Sequence, residues 1–326
     1  MRIRVRKTAA AILMVLFLLP LLKAESNDGH RVRLQYDKDA HTVSVQIDGQ
    51  EALVYQYGPT DGLAHYYPVR SPYGQSMTVQ YPQVWPHHRS FWFADNVGLE
   101  DKPPIHFYNA WLLREKDDDD ENIFPHRIRN TQFLAETRHG DTLTWTKKLL
   151  WEMNFEIPVL DEYRTVRIVP LGRGEYFLDM TFVVTASYGN VVFDSDWSHY
   201  AWPYVRMNKD FNVEDGGGRI VNSEGGINQA QTDRQEAVWV DYSCDVDGKT
   251  SGLSIFSHPD NRQPHKWLTR NYGTFGPRRT DDKWGTPFTL DKNESLVRRV
   301  GILVHRGDVQ SGQVQQRYAA YVQGQL

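Results

Sequence analysis

A single cysteine, Cys244, stands in 326 residues. One thiol excludes an internal disulfide and a multi-cysteine metal site. Within an apolar strand pattern it reads as a small core residue. Long apolar runs are scarce too. The one that stands out, residues 9–22, is short for a membrane span, and no other approaches that length. It follows a start carrying Arg2, Arg4, Arg6 and Lys7 and closes at Lys23-Ala24, the basic–apolar–small order of a secretory signal peptide over residues 1–24. Cleavage before Glu25 removes five positive charges and no acid, taking the net charge from −4 to −9. No basic excess is left for nucleic acid. The expectation is an exported protein, periplasmic or extracellular, with no stable membrane insertion once the leader is gone. Also missing are sequence repeats, a proline-rich linker, His-x-His or His-x-x-x-His spacing, and a glycine loop opening a helix.

With 40% hydrophobic and 13% aromatic residues, the chain has ample material for a core. Alternating apolar residues mark strands in 31–57, where Asp48-Gly49 signals a hairpin, and again in 128–136, 143–151, 164–169, 176–186, 237–244, 252–257 and 296–305. Residues 58–82, rich in Tyr, Pro and Gly, read as long loops with short edge strands. The acidic run 115–121 reads as a solvated loop. Helical spacing is confined to residues 309–323, with Val314, Tyr318 and Val322 on one stripe. These patterns predict an all-β fold, a large antiparallel β-sandwich with one C-terminal helix, forming a single domain over residues 25–326.

The densest chemistry lies in Trp85-Pro86-His87-His88-Arg89-Ser90-Phe91-Trp92-Phe93. As a strand, residues 89–93 would put His87, Arg89, Phe91 and Phe93 on one face and His88, Ser90 and Trp92 on the other. A capped core strand would carry the same residues. Other segments mix polar and aromatic groups in the same way: Asp196-Trp197-Ser198-His199-Tyr200 through Arg206, Asn222-Ser223-Glu224, Trp239 to Ser243 with Tyr242, His258 to Arg262, and Arg270-Asn271-Tyr272-Gly273.

In combination these motifs resemble a bacterial family labelled PmoA-like, or "methane oxygenase-like". The matching stretches are Pro-His-His-Arg-Ser at 86–90, Gly-Arg-Ile-Val-Asn-Ser-Glu-Gly at 218–225, Trp-Val-Asp-Tyr-Ser at 239–243, His-Pro-Asp-Asn at 258–261 and Arg-Asn-Tyr-Gly at 270–273. The chain departs from the pattern at Val84-Trp85, at Leu268, and at residues 196–200. The resemblance covers about residues 50–305. It implies carbohydrate metabolism on a sandwich similar to sugar mutarotases and polysaccharide lyases, rather than the membrane-embedded oxygenase of the label.

The residue types themselves favour sugar chemistry. Trp92, Trp197 and Tyr242 offer flat apolar surfaces for pyranose rings. Arg89, Arg206, Arg262 and Arg270 can hold a carboxylate by two hydrogen bonds, and Asn222 and Glu224 suit sugar hydroxyls. β-Elimination from a uronate needs a cation to offset charge growing on the carboxylate and a base for the adjacent carbon-bound proton. Arg89 is the expected cation and His88 or His199 the expected base, with His87, His258 and Tyr272 as further acid–base candidates. The expected activity is that of a lyase or dehydratase on acidic, uronate-containing oligosaccharides, ulvan-type chains among them, with no cofactor. Three alternatives remain open. One is a non-catalytic sugar-binding protein. Another is a hydrolase using two of Glu224, Asp196 and Asp241. The third is a metal enzyme joining His87 or His88 to His106, His126, His199 or His258.

Overall fold

Alternation builds the sheets. Along Thr42–Ile47 every second residue is buried, and the same holds from Leu143 to Trp151, so each strand offers one face to the interior. The computed structural model describes residues 30–119, 121–194, 201–261, 265–278 and 287–326. The expected leader, residues 1–24, lies outside the described residues.

The first sheet has nine strands, in the order Val32–Asp37, Thr42–Ile47, Gln50–Gln56, His65–Val69, Phe91–Trp92, Tyr204–Arg206, Thr274–Pro277, His265–Thr269 and Glu236–Ala237. The second has eight, in the order Arg127–His139, Thr142–Met153, Ile157–Gly172, Glu175–Thr185, Ser295–Arg306, Lys249–Ser257, Trp239–Val246 and Arg219–Asn222. Their inner faces meet in one apolar core: Tyr55 packs edge-on to Trp145 at 5.4 Å, and Phe93 stacks on Phe182 at 4.4 Å. The all-β sandwich expected from the sequence is what the chain forms, and residues 31–326 make one unit. The helix Val314–Val322 covers the other side of the second sheet, where Val314 and Tyr321 pack with Phe177, Trp239, Phe256 and Leu303. Its buried seam runs through Val314 and Tyr321, while Val322, expected on the stripe, is 38% exposed.

Several local expectations give way to tertiary context. Strand His65–Val69 is interior to the first sheet rather than an edge. The predicted strand 237–244 divides, with Ala237 closing the edge of the first sheet and Trp239 opening a strand of the second. The predicted strand 89–93 shrinks to Phe91–Trp92, because Ser90 has φ +81° and breaks the alternation. Three short helical segments were not expected, the 3₁₀ turn Pro59–Asp61, the 3₁₀ turns Phe107–Leu113 and the helix Asn228–Thr232.

The interior is not wholly apolar. Alternation places Lys147, Glu162 and Arg164 on the inward face, all fully buried, with Lys147 directly opposite Arg164 across the ladder. Arg164 donates to Glu162 at 2.7 Å, and Trp151 donates to the same carboxylate at 2.9 Å. The Lys147 ammonium has no hydrogen-bond partner and rests 3.6 Å from the Trp145 ring centre and 4.8 Å from that of Tyr55. Burial, reinforced by Arg164, holds its pKa well below the ordinary lysine value. The unfolded chain therefore binds a proton there that the folded chain gives up, so stability falls as pH drops below about 10.4. A desolvated cation–π contact contributes about 2 kcal/mol, against an effective desolvation penalty of several kcal/mol for a buried ion. Lys147→Met is accordingly expected to raise the urea midpoint at pH 7 with an unchanged m-value. A lowered midpoint would mean that the aromatic contacts outweigh desolvation.

Candidate functional site

Three strands of the first sheet, Phe91–Trp92, Tyr204–Arg206 and Thr274–Pro277, lie side by side, with Trp92 opposite Tyr204 and Arg206 opposite Thr274. Alternation sends Phe91, Val205 and Phe275 to the core and Trp92, Tyr204, Arg206 and Thr274 to the other face. The segment before the break at Ser90 folds onto that outer face. Tyr81 N–H donates to the His88 carbonyl and His88 N–H to that of Trp85, each at 3.0 Å, closing a loop that carries Trp85, His87 and His88. The two imidazoles meet edge-to-face at 4.6 Å instead of pointing to opposite sides.

Around them the geometry is specific. Tyr108, from the Phe107–Leu113 turns, places its hydroxyl 3.0 Å from His88 Nε2, and Thr274 Oγ1 lies 3.5 Å from His88 Nδ1. Arg206 donates to the Tyr272 carbonyl and, at 3.4 Å, to Thr274 Oγ1, with its guanidinium 4.5 Å from the Tyr272 ring centre. Its Nε and the Nδ1 of His87 are buried with no hydrogen-bond partner. Trp85 sits over the pair, near-parallel to His88 at 6.3 Å, and is 48% exposed. Its φ of +69° is a strained setting for a bulky residue, the more so before Pro86.

The electrostatics have one sign. Burial lowers the Arg206 pKa, and burial together with His87 and Arg206 holds His88 well below the ordinary imidazole value. Burial and Arg89 bring His87 down to about 4. Among the described residues neither Arg89 nor Arg206 makes an ion pair, although the Asp61 and Glu214 carboxylates act on them from farther off, so two buried guanidiniums flank two neutral imidazoles.

The expected residues divide sharply. His87, His88, Arg206 and Tyr272 come together. Arg89 does not join them: it is 0% exposed, donates to the Asp61 carbonyl at 2.7 Å, and lies 4.1 Å and 4.9 Å from the ring centres of Tyr81 and Trp111. Trp92 is packed under His88 and Tyr204 rather than offered to a ligand. The Tyr242 hydroxyl accepts from Val213 N–H and donates to the Asn271 carbonyl, pinning two loops. Arg270 is paired with Asp233 at 2.6 Å. His258 belongs to another cluster, with Nδ1 3.1 Å from Asp260, Nε2 3.2 Å from Arg299, and its ring against Tyr321. Asn222 caps its own loop by accepting from Glu224 and Gly226 N–H. Glu224 is exposed on a polar groove of about 680 Å³ that also borders Lys266 and Glu236. Of the three carboxylates considered for hydrolysis, Asp241 is buried against His305 at 2.8 Å and Asp196 lies outside the described residues. His199, Trp197 and Arg262 also lie outside them. Among the described residues no three His, Cys, Asp or Glu side chains gather to hold a metal, and no helix is long and apolar enough to cross a membrane. Sequence reading missed Tyr108, Thr274 and the exposure of Trp85. The first two sit in ordinary-looking segments; sheet order brings in Thr274, and the packing of the Phe107–Leu113 turns brings in Tyr108.

The chain belongs to a family of unknown function, DUF6807, whose model matches residues 42–319. No curated protein matches the sequence. Among solved structures it is similar to a GH36 α-galactosidase, AgaB, from Geobacillus stearothermophilus, at 10% identity and a TM-score of 0.44 over 86% of this chain and 42% of that one. A heparan sulfate lyase, HepC, from Pedobacter heparinus is similar at 12% identity and a TM-score of 0.37, over 84% and 37%. A galactose mutarotase related enzyme from Lactobacillus acidophilus is similar at 10% and 0.34, over 84% and 97%. The chain spans less than half the length of the galactosidase and of the lyase.

The buried histidines set an acid limit on the fold. His65, His87, His88, His126 and His258 all have lowered pKa values, with burial the first cause in each. His305 moves the other way: burial opposes its charge, but the Asp241 carboxylate raises it. For the five, the unfolded state takes up protons near pH 6.5 that the folded state refuses, so their contribution is lost as pH falls below that value. For His305 the contribution is present below 6.5 and lost as pH rises through its raised value. The melting temperature is expected to fall between pH 7 and pH 5, and His88→Gln is expected to make that fall shallower. An equally steep fall in the variant would remove His88 from the account.

Proposed function

We propose that the chain is an exported carbohydrate-active lyase that performs β-elimination on uronate-containing oligosaccharides at the His87–His88–Tyr108–Arg206 cluster. The observation that carries this reading is Arg206, a buried guanidinium that pairs with no anion among the described residues, with Nε unpaired beside a hydrogen-bonded Tyr108–His88 pair. A desolvated cation lacking its counter-charge is costly, and a substrate carboxylate offsets that cost. Its hold strengthens as charge builds on the carboxylate during proton removal.

In this mechanism the Nδ1 of His87 takes the proton from the carbon beside the carboxylate. The C–H electrons form the new carbon–carbon double bond, and the bond to the leaving oxygen breaks. Tyr108 gives its hydroxyl proton to that oxygen, while His88, as the Nε2–H tautomer, donates to the phenolate left behind. The ring of His87 lies 5.2 Å from that of Tyr108, so the abstracted proton can return to the phenolate and reset the site. Trp85, exposed over the imidazoles, offers a flat face to a sugar ring.

Elimination leaves an unsaturated uronate that absorbs in the ultraviolet, so turnover is read without a label. Arg206→Ala, His87→Ala and Tyr108→Phe are each expected to lower kcat/KM on the order of a hundredfold or more, and Trp85→Ala to raise KM. His87 acts as a base only when neutral. The rate should therefore hold at neutral pH and decline as pH falls through about 4. Absence of unsaturated product from every acidic oligosaccharide tried would refute elimination. Saturable binding without turnover would establish a sugar-binding protein instead.

A further inference from the structure

Arg89 has no access to a ligand, yet it is the most completely enclosed cation on this side of the first sheet. Its guanidinium touches three separate segments. Nη2 donates to the Asp61 carbonyl in the turn Pro59–Asp61. One ring against it, Tyr81, opens the loop that carries Trp85, His87 and His88. The other, Trp111, stands in the second of the two 3₁₀ turns joined at Asn109, and Tyr108 stands in the first. The Tyr81 and Trp111 rings also meet each other at 4.5 Å. Below Tyr108 the turns are anchored by Phe107, which is buried against Trp151 at 5.2 Å. Tyr108 is thus held from two sides, by Phe107 in the core and by Trp111 on Arg89.

We infer that Arg89 is a positioning residue that sets the Tyr108–His88 hydrogen bond, by docking the Phe107–Leu113 turns onto the histidine loop through Trp111 and Tyr81. A 3₁₀ turn has poor hydrogen-bond geometry of its own and takes its place from what it packs on. The planar guanidinium can lie against both rings while bonding a carbonyl at its edge, a combination that an ammonium cannot reproduce. Two rings on different segments share one cation, so moving either moves the other. Tyr108 and His88 are the groups those two segments bring to contact.

This inference rests on the lyase reading for its kinetic consequence but not for its structural one, and the experiment separates the two. Nitrogen-15 spectra of the imidazoles report whether His88 Nε2 is hydrogen-bonded, and Tyr108→Phe supplies the signal of the broken bond. In Arg89→Met the His88 signals are expected to move toward those of Tyr108→Phe. Trp111→Phe, at a half-buried position, is expected to move them part of the way and serves if Arg89→Met does not fold. On a substrate that the parent turns over, Arg89→Met is expected to lower kcat on the order of a hundredfold, as for a misplaced catalytic group. KM should change little, since Arg206 and Trp85 remain. His88 signals that stay at the parent position in both variants would overturn the inference. A parent without turnover would overturn the lyase reading alone, leaving the spectra to decide on Arg89.

Discussion

The candidate site depends on one break in one strand. Ser90 has φ +81°, and its hydroxyl bridges the Tyr66 carbonyl and Thr78 Oγ1, each at 2.7 Å. Were residues 87–93 a continuous strand, strict alternation would send neighbouring side chains to opposite faces. The break stops that. It lets His87 and His88 turn to the same side while Phe91 and Phe93 stay with the core, where Phe93 stacks on Phe182. The cost of a positive φ in a residue other than glycine, roughly 1–3 kcal/mol, is offset by two buried hydrogen bonds that only this conformation makes. The hydroxyl is therefore a structural element of the site without touching it.

Buried cations recur through the structure, and their surroundings give them different meanings. Arg164 in the core is paired with Glu162, and Lys147 opposite it is held toward neutrality by the aromatic surroundings that exclude water. Both are sealed, and neither can meet a ligand. Arg89 is sealed as well, bonded to a backbone carbonyl and two ring faces. An unpaired edge is common to all three guanidiniums, since Nε and Nη1 of Arg89 and Nη2 of Arg164 lack a hydrogen-bond partner just as Nε of Arg206 does. Burial and an unpaired edge together do not distinguish a structural cation from a binding one. Arg206 differs in its neighbours: it lies on the outer face of the first sheet, bonded to Thr274 Oγ1 beside the Tyr108–His88 pair.

Much of the fold was legible because it rests on short-range pattern. Period-two alternation located the long strands of the second sheet, and Asp48-Gly49 with φ +51° and +78° is the hairpin its sequence announces. The short strands of the first sheet were not legible. Phe91–Trp92 and Tyr204–Arg206 are two and three residues long, too brief for a period to register, and only the neighbouring strands make them strands. The site inherits that difficulty. The His-His-Arg run was visible by composition, but the direction of each side chain hung on Ser90. Thr274 joined the histidines through sheet order and Tyr108 through the packing of its 3₁₀ turns, neither of which a local pattern encodes. His258, Arg270 and Tyr242 have the right chemistry in the wrong place. Each is already committed to a partner that lies far off in sequence.

The charge around the two histidines follows from these parts taken together. Burial favours the neutral form of every titratable group, and imidazoles yield to it readily because their ordinary pKa lies near 6.5. Guanidiniums do not: brought down only to about 10, Arg89 is still charged at neutral pH. The neighbourhood of His87 and His88 therefore keeps two positive charges, on Arg89 and Arg206, with no carboxylate among the described residues bonded to either, although the chain as a whole is acidic. The overall charge of −4 opposes the approach of an anion from afar, but that repulsion is screened beyond about 8–10 Å in physiological salt. At contact distance the local field decides, and under the proposed lyase activity it favours a ligand that is an anion where it meets Arg206 and flat and apolar where it meets Trp85. A sugar acid has both features on one ring.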